Sequence, residues 1–95
     1  MAKSHDIAAR LIAKKVKGRY RPGKSPDVKG PGIRVEVKTT ANEISEALLQ
    51  LAGGSGRAYI ALPKPEHKEA LKRLKSRKTG LMNLKAKIIK PSNRK

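Results

Sequence analysis

The sequence predicts an α/β fold, a small mixed sheet flanked by helices. Three observations lead there. An apolar stripe at helical spacing opens the chain, two aliphatic β-type segments follow with a helical pattern after each, and prolines and glycines gather between them. A length of 95 residues allows one domain, placed over residues 1–90, with 91–95 a basic C-terminal tail. The order reads helix, two or three strands, helix, strand, helix, strand, which is an αβββαβ core extended by a C-terminal helix and strand.

Residues 4–17 place Ile7, Ala8, Leu11, Ile12 and Val16 on one helical face, with Ser4 as the expected cap, Asp6 at the positive end of the helix and Gly18 as its stop. Residues 19–32 hold three prolines and three glycines, so short strands near 19–21 and 27–29 are expected, with turns at Pro22-Gly23 and Gly30-Pro31-Gly32. The clearest strand is 33–39. Ile33, Val35 and Val37 alternate with Arg34, Glu36 and Lys38, so the aliphatics share one face and Glu36 and Lys38 the other. Thr40 and Glu43 have capping-box spacing. The helix after them carries Ile44, Ala47, Leu48 and Leu51 on one face and is expected to end at Gly53-Gly54. Residues 57–62 read as a buried strand stopped by Pro63, with Tyr59 in the core. Pro65 opens a third helix with Ala70, Leu71 and Leu74 inward, whose last turns, 72–78, are almost wholly basic. Residues 81–90 read as one extended segment.

Charge narrows the function. Lys and Arg number 24 against 7 Asp and Glu, a net charge of +17. The excess is concentrated late in the chain, with 13 basic and 2 acidic residues in 55–95 against 11 and 5 in 1–54. A polyanionic partner, most simply nucleic acid, is expected. The absence of cysteine excludes a disulfide framework, a zinc ribbon and a thiol nucleophile. No apolar run approaches the roughly 18 residues of a membrane span, and residues 1–6 lack the apolar stretch of a signal peptide. The expected location is therefore cytoplasmic, at the nucleoid when DNA-bound. Two tyrosines without Phe or Trp are too few for a base-stacking platform. The Gly53-Gly54-Ser55-Gly56 stretch follows a helix and precedes a strand, the reverse of a P-loop, and lacks its Gly-Lys-Ser/Thr.

With so few acids, their positions are informative. A hairpin joining Asp27 to Glu36 sets two carboxylates side by side on a basic surface, where they would repel phosphate unless they hold a cation. Mg²⁺ or Mn²⁺ favours such oxygen ligands, polarises a phosphate and generates hydroxide near neutral pH. Lys38, two residues beyond Glu36 on the same strand face, can stabilise charge developing on that phosphate. The bland readings are that Asp27 is a turn residue and that Glu36 and Lys38 form an exposed charge pair worth up to ~1 kcal/mol. His5 and His67 are expected to be solvated.

Pro26-Asp27, an eight-residue gap and Glu36-Val37-Lys38 resemble the signature of the PD-(D/E)XK nuclease superfamily, over roughly residues 4–62. The resemblance implies a restriction-endonuclease-like core, with the branch of archaeal Holliday-junction resolvases and virus-type replication-repair nucleases as the nearest likeness. It also implies Mg²⁺ or Mn²⁺ held by Asp27, Glu36 and the Val37 backbone carbonyl, with Lys38 as the catalytic lysine. Many members add a glutamate from the first helix. This chain has none there, which leaves Asp6 as the nearest acidic candidate and His5 as the next. Gln50 loosely matches a glutamine that several members carry on the following helix. The expected function is metal-dependent cleavage of duplex or branched DNA by a homodimer, with no small-molecule cofactor and no membrane. Lys72, Arg73, Lys75, Arg77 and Lys78 are the expected phosphate contacts. The alternatives are a non-catalytic nucleic-acid-binding module on the same fold and a ribosome-associated basic RNA-binding protein.

Overall fold

The computed structural model describes residues 2–21, 26–52 and 56–92. Helix α1 (Ala2–Lys15) is followed by β1 (Arg19–Tyr20), β2 (Val28–Gly30) and β3 (Ile33–Val37), then by α2 (Ile44–Leu51), β4 (Arg57–Ala61), α3 (His67–Leu74), β5 (Gly80–Met82) and β6 (Ile88–Lys90). Short 3₁₀ turns, Ala41–Glu43 and Lys64–Glu66, lead into α2 and α3. The expected Pro22-Gly23 turn and Gly53-Gly54 stop lie outside the described residues, as does the end of the tail, 93–95.

The six strands form one sheet in sequential order. β1, β2 and β3 are an antiparallel meander, β3, β4 and β5 run parallel, and β6 returns antiparallel to β5. This is the α/β mixed sheet expected from the sequence. Two consecutive crossovers in the same direction place α2 and α3 on one face, where Ile44, Leu51, Ile60, Leu62, Leu74 and Leu81 form a buried cluster. The other face is covered by α1, whose Ala9 and Ile12 pack on Val28, Val35, Val37, Tyr59 and Met82. β3 is thus covered on both sides, and all of Arg34, Val35, Glu36 and Val37 are buried. Alternation on this strand sorts residues between two interiors rather than between core and water.

Several local expectations are corrected. α1 begins at Ala2, so Ser4 lies inside the helix instead of capping it, and its first turn contains no acidic residue, so Asp6 lies beyond the reach of the N-terminal charge. The left-handed residue that ends α1 is Lys17 (φ 58°), and the Gly18 amide closes back on Ala13 O at 2.8 Å. Gly18 is needed for another reason: a Cβ there would meet Lys29 O at 2.6 Å. The Thr40–Glu43 capping box forms, with Glu43 Oε1 accepting from Thr40 N at 3.2 Å, but it opens a 3₁₀ turn rather than α2 itself. α3 stops at Leu74, so Lys75, Arg77 and Lys78 lie beyond it. Residues 81–90 are two strands, not one. Asn83 Oδ1 accepts from the amides of Lys85 (2.8 Å) and Lys87 (2.9 Å), and Ala86 takes φ 67°, which turns the chain back without glycine. Among the described residues, no helix is long and apolar enough to cross a membrane.

Candidate functional site

The site lies where β2 and β3 part. Their register pairs Val28 with Val35, so Asp27 and Glu36 come next in line. There the backbone ladder gives way to side chains: Asp27 N donates to Glu36 Oε1 at 2.8 Å, and Val37 N donates to Asp27 Oδ2 at 2.9 Å. The two carboxylates are thereby tied to each other's strands. Both residues are buried, Asp27 at 9% and Glu36 at 2% exposure. Glu36 is therefore not part of a solvated surface pair.

Burial raises the pKa of Glu36. The amide of Asp27 counters this, the Asp27 charge reinforces it, and Lys38 and His5 oppose it without reversing it. Lys38 extends from the end of β3, its Nζ 3.7 Å from Glu36 Oε2 and 2.6 Å from Glu46 Oε1. Burial acts to lower its pKa, but the bond to Glu46 and the charge of Glu36 outweigh that and raise it. Lys38 is thus held as an ammonium, suited to stabilising negative charge rather than to removing a proton. Glu46, on α2, is a partner of Lys38 that the motif does not reveal. Its sequence signal is an acid in a chain with few, placed on the helix that packs behind β3.

α1 contributes His5 rather than Asp6. His5 Nε2 lies 3.2 Å from both Asp27 Oδ2 and Val37 O. Both partners accept, so Nε2 carries the hydrogen in this arrangement. Asp6 instead accepts from the Tyr20 hydroxyl, and that bond is the main cause of a raised Tyr20 pKa. Asp6 approaches His5 only at Nδ1, at 4.0 Å. Of the two candidates, His5 is the one that meets Asp27. Neither histidine is simply solvated, since His67 Nε2 bonds Leu62 O at 2.7 Å.

Asp27, Glu36 and the Val37 carbonyl offer oxygen donors of the kind Mg²⁺ or Mn²⁺ takes, and His5 adds an imidazole beside them. The buried carboxylate pair, with the pKa of Glu36 already raised, is an environment that a cation would relieve. Among the described residues no three His, Asp or Glu side chains form a group that could hold a metal ion; Glu36 Oε1 and Asp27 Oδ2 accept from backbone amides. A cation bound there would have to replace those hydrogen bonds.

Lys72, Arg73, Lys75, Arg77 and Lys78 are all exposed. Among the described residues none of them bonds to Asp27, Glu36 or Lys38, and Arg73 is engaged by Glu69 at 3.0 Å and Asn42 at 3.2 Å. Gln50 lies one turn beyond Glu46, its Oε1 buried without a hydrogen-bond partner among the described residues. Comparison of the chain with protein-family models, curated proteins and solved structures finds no match.

Proposed function

We propose that this domain is a metal-dependent DNA endonuclease of the PD-(D/E)XK type. The observation that carries the reading is the meeting of Asp27, Glu36, the Val37 carbonyl and Lys38 at the parted ends of β2 and β3. Asp27 and Glu36, with the Val37 carbonyl, would hold Mg²⁺ or Mn²⁺. When bound, the ion supplies Lewis-acid polarisation of a phosphate and an acidified water. Glu46 and Glu36 keep Lys38 charged and aimed into the site, where it faces the negative charge that grows on the phosphate oxygens. His5 ties α1 to Asp27 and Val37 and serves as the first helix's contribution to the ion.

The net charge of +17 supports a nucleic-acid substrate. A chain this small offers little surface to a duplex, which supports action as a symmetric dimer with one site per strand. The setting proposed is the cytoplasm, on nucleoid DNA, with branched DNA such as a four-way junction among the substrates. The test is single-turnover cleavage of four-way junction, flap and linear duplex DNA with Mn²⁺, beside gel-shift affinity. Lys38→Ala is expected to leave affinity nearly unchanged and to slow cleavage by ~10²-fold or more. Wild type that binds all three DNAs and cuts none would make the domain a non-catalytic binding module. Equal cleavage by Lys38→Ala would place the activity elsewhere.

A further inference from the structure

The carboxyl ends of the three parallel strands form a continuous edge, the side of an open α/β sheet where ligands bind. Lys38 follows β3 directly, and Pro63 and Leu84 each lie two residues past the ends of β4 and β5. Between this edge and α1 lies a cavity of about 200 Å³, lined by His5, Ala8, Val37, Lys38, Thr39, Pro63 and Leu84. Its walls are aliphatic, and its polar groups are few. Three of the lining residues, His5, Val37 and Lys38, belong to the candidate metal and phosphate site, so whatever fills the cavity sits against the group held there. It is smaller than the roughly 300–1,000 Å³ of a drug-sized ligand site.

A second cavity, of about 320 Å³, shares Pro63 and Leu84 and adds Lys64, Asn83 and Lys85. The two are thus separated by a ridge of Pro63 and Leu84, with an apolar slot on one side and two ammonium groups on the other. The ridge is built rigidly. Proline restricts the backbone at 63, and Asn83 Oδ1 clamps the hairpin carrying Leu84 and Lys85 through the amides of Lys85 and Lys87.

We propose that the first cavity receives one unpaired nucleobase of the bound DNA strand, next to the phosphate at the candidate metal site, while Lys64 and Lys85 hold a further phosphate beyond the ridge. This rests on the nuclease reading and specifies its substrate class. A base has apolar faces and polar edges, matching aliphatic walls with a few polar groups at the rim. A base that is stacked and paired in continuous duplex cannot enter, so DNA with an unpaired nucleotide at the cut, as in a flap, bulge or branch, is the preferred substrate.

The test is binding, measured without metal so that it does not depend on cleavage. Fluorescence anisotropy in EDTA compares two duplexes, one with a single unpaired 2-aminopurine and the other with an abasic site at that position. Wild type is expected to bind the first roughly fivefold or more tightly, the scale set by removing about 40 Å² of apolar base surface from water. Leu84→Trp and Thr39→Phe, which each put a large side chain on the cavity lining, are each expected to bring the ratio near one. Circular dichroism identifies a variant that fails to fold, and the other then decides. Equal wild-type affinity for the two duplexes overturns the proposal, as does a folded variant that keeps the ratio. Cleavage of the same duplexes with Mn²⁺ reports separately on the nuclease reading. Base-dependent binding without cleavage keeps the cavity assignment and removes the nuclease, whereas cleavage without base-dependent binding does the reverse.

Discussion

Replacing Glu36 with Gln should give opposite results with and without metal. The carboxylate is 2% exposed, and its pKa is raised first by burial and then by the Asp27 charge, despite the Asp27 amide and Lys38. A carboxyl whose folded pKa lies above its unfolded value binds its proton more tightly when folded. Its contribution to stability is present below the unfolded pKa and is lost as pH rises through the interval up to the folded pKa. At neutral pH, above the unfolded pKa, burial of this carboxyl therefore costs the metal-free protein stability. Glutamine removes it and retains an oxygen for the Asp27 amide, while Lys38 keeps its 2.6 Å contact with Glu46. Metal-free Glu36→Gln should melt at or above wild type at pH 7, with the advantage fading on acidification. Mn²⁺ at 100 times its Kd should stabilise wild type by about 2.7 kcal/mol. At about 4–8 °C per kcal/mol for a chain of this size, that raises Tm by roughly 10–20 °C. The variant should show little or no rise. Scanning calorimetry with Mn²⁺ and with EDTA measures both arms. Equal Mn²⁺ shifts in the two proteins would refute the metal assignment, and a metal-free variant melting well below wild type would refute the argument from buried charge.

Three further outcomes are expected. In calorimetric titration, His5→Ala should weaken Mn²⁺ binding by roughly 10–100-fold, the range found when groups supporting a metal site are removed, whereas Asp6→Asn should leave it unchanged; the opposite order would return the first-helix role to Asp6. Gly18→Ala forces a Cβ to within 2.6 Å of Lys29 O and 2.9 Å of Gly30 N, so it should lower stability by about 1–3 kcal/mol, read as a fall in the urea midpoint, and an unchanged midpoint would mean that the approach of Gly18 to β2 yields easily. Changing Lys72, Lys75 and Lys78 together to Ala should flatten the slope of log K against log salt on duplex DNA by about 2.7 if each meets a phosphate; an unchanged slope would make this surface a solvated face.

Local pattern made much of the fold legible. The Ile33-Val35-Val37 alternation marks β3 because side chains on a strand alternate by geometry. Thr40 and Glu43 announce a helical turn because the capping box closes within four residues. Ile44, Ala47 and Leu51 reveal the inward face of α2 by spacing alone. Asp27 and Glu36 could be paired because one short hairpin joins them. Where such signals were absent or double-edged, the reading failed. The 83–87 turn has no glycine or proline, and Asn83 builds it by accepting two amides, so two strands read as one. Gly18 resembled a left-handed stop, but Lys17 takes that conformation and Gly18 makes room for β2.

The sequence by itself determined the order of elements as far as α3, the α/β class, the basic charge and the adjacency of Asp27, Glu36 and Lys38, all of which follow from composition, periodicity and short-range connection. Only the tertiary structure decided that β3 is covered on both faces, which buries Glu36 and raises its pKa. Only it set His5, and not Asp6, beside Asp27 and Val37, by bringing α1 to residues 22 and 32 positions further along the chain. It also set Glu46 against Lys38 and aligned the ends of β3, β4 and β5 around one cavity. These features depend on which faces meet and in what register, a choice made by packing distant segments together.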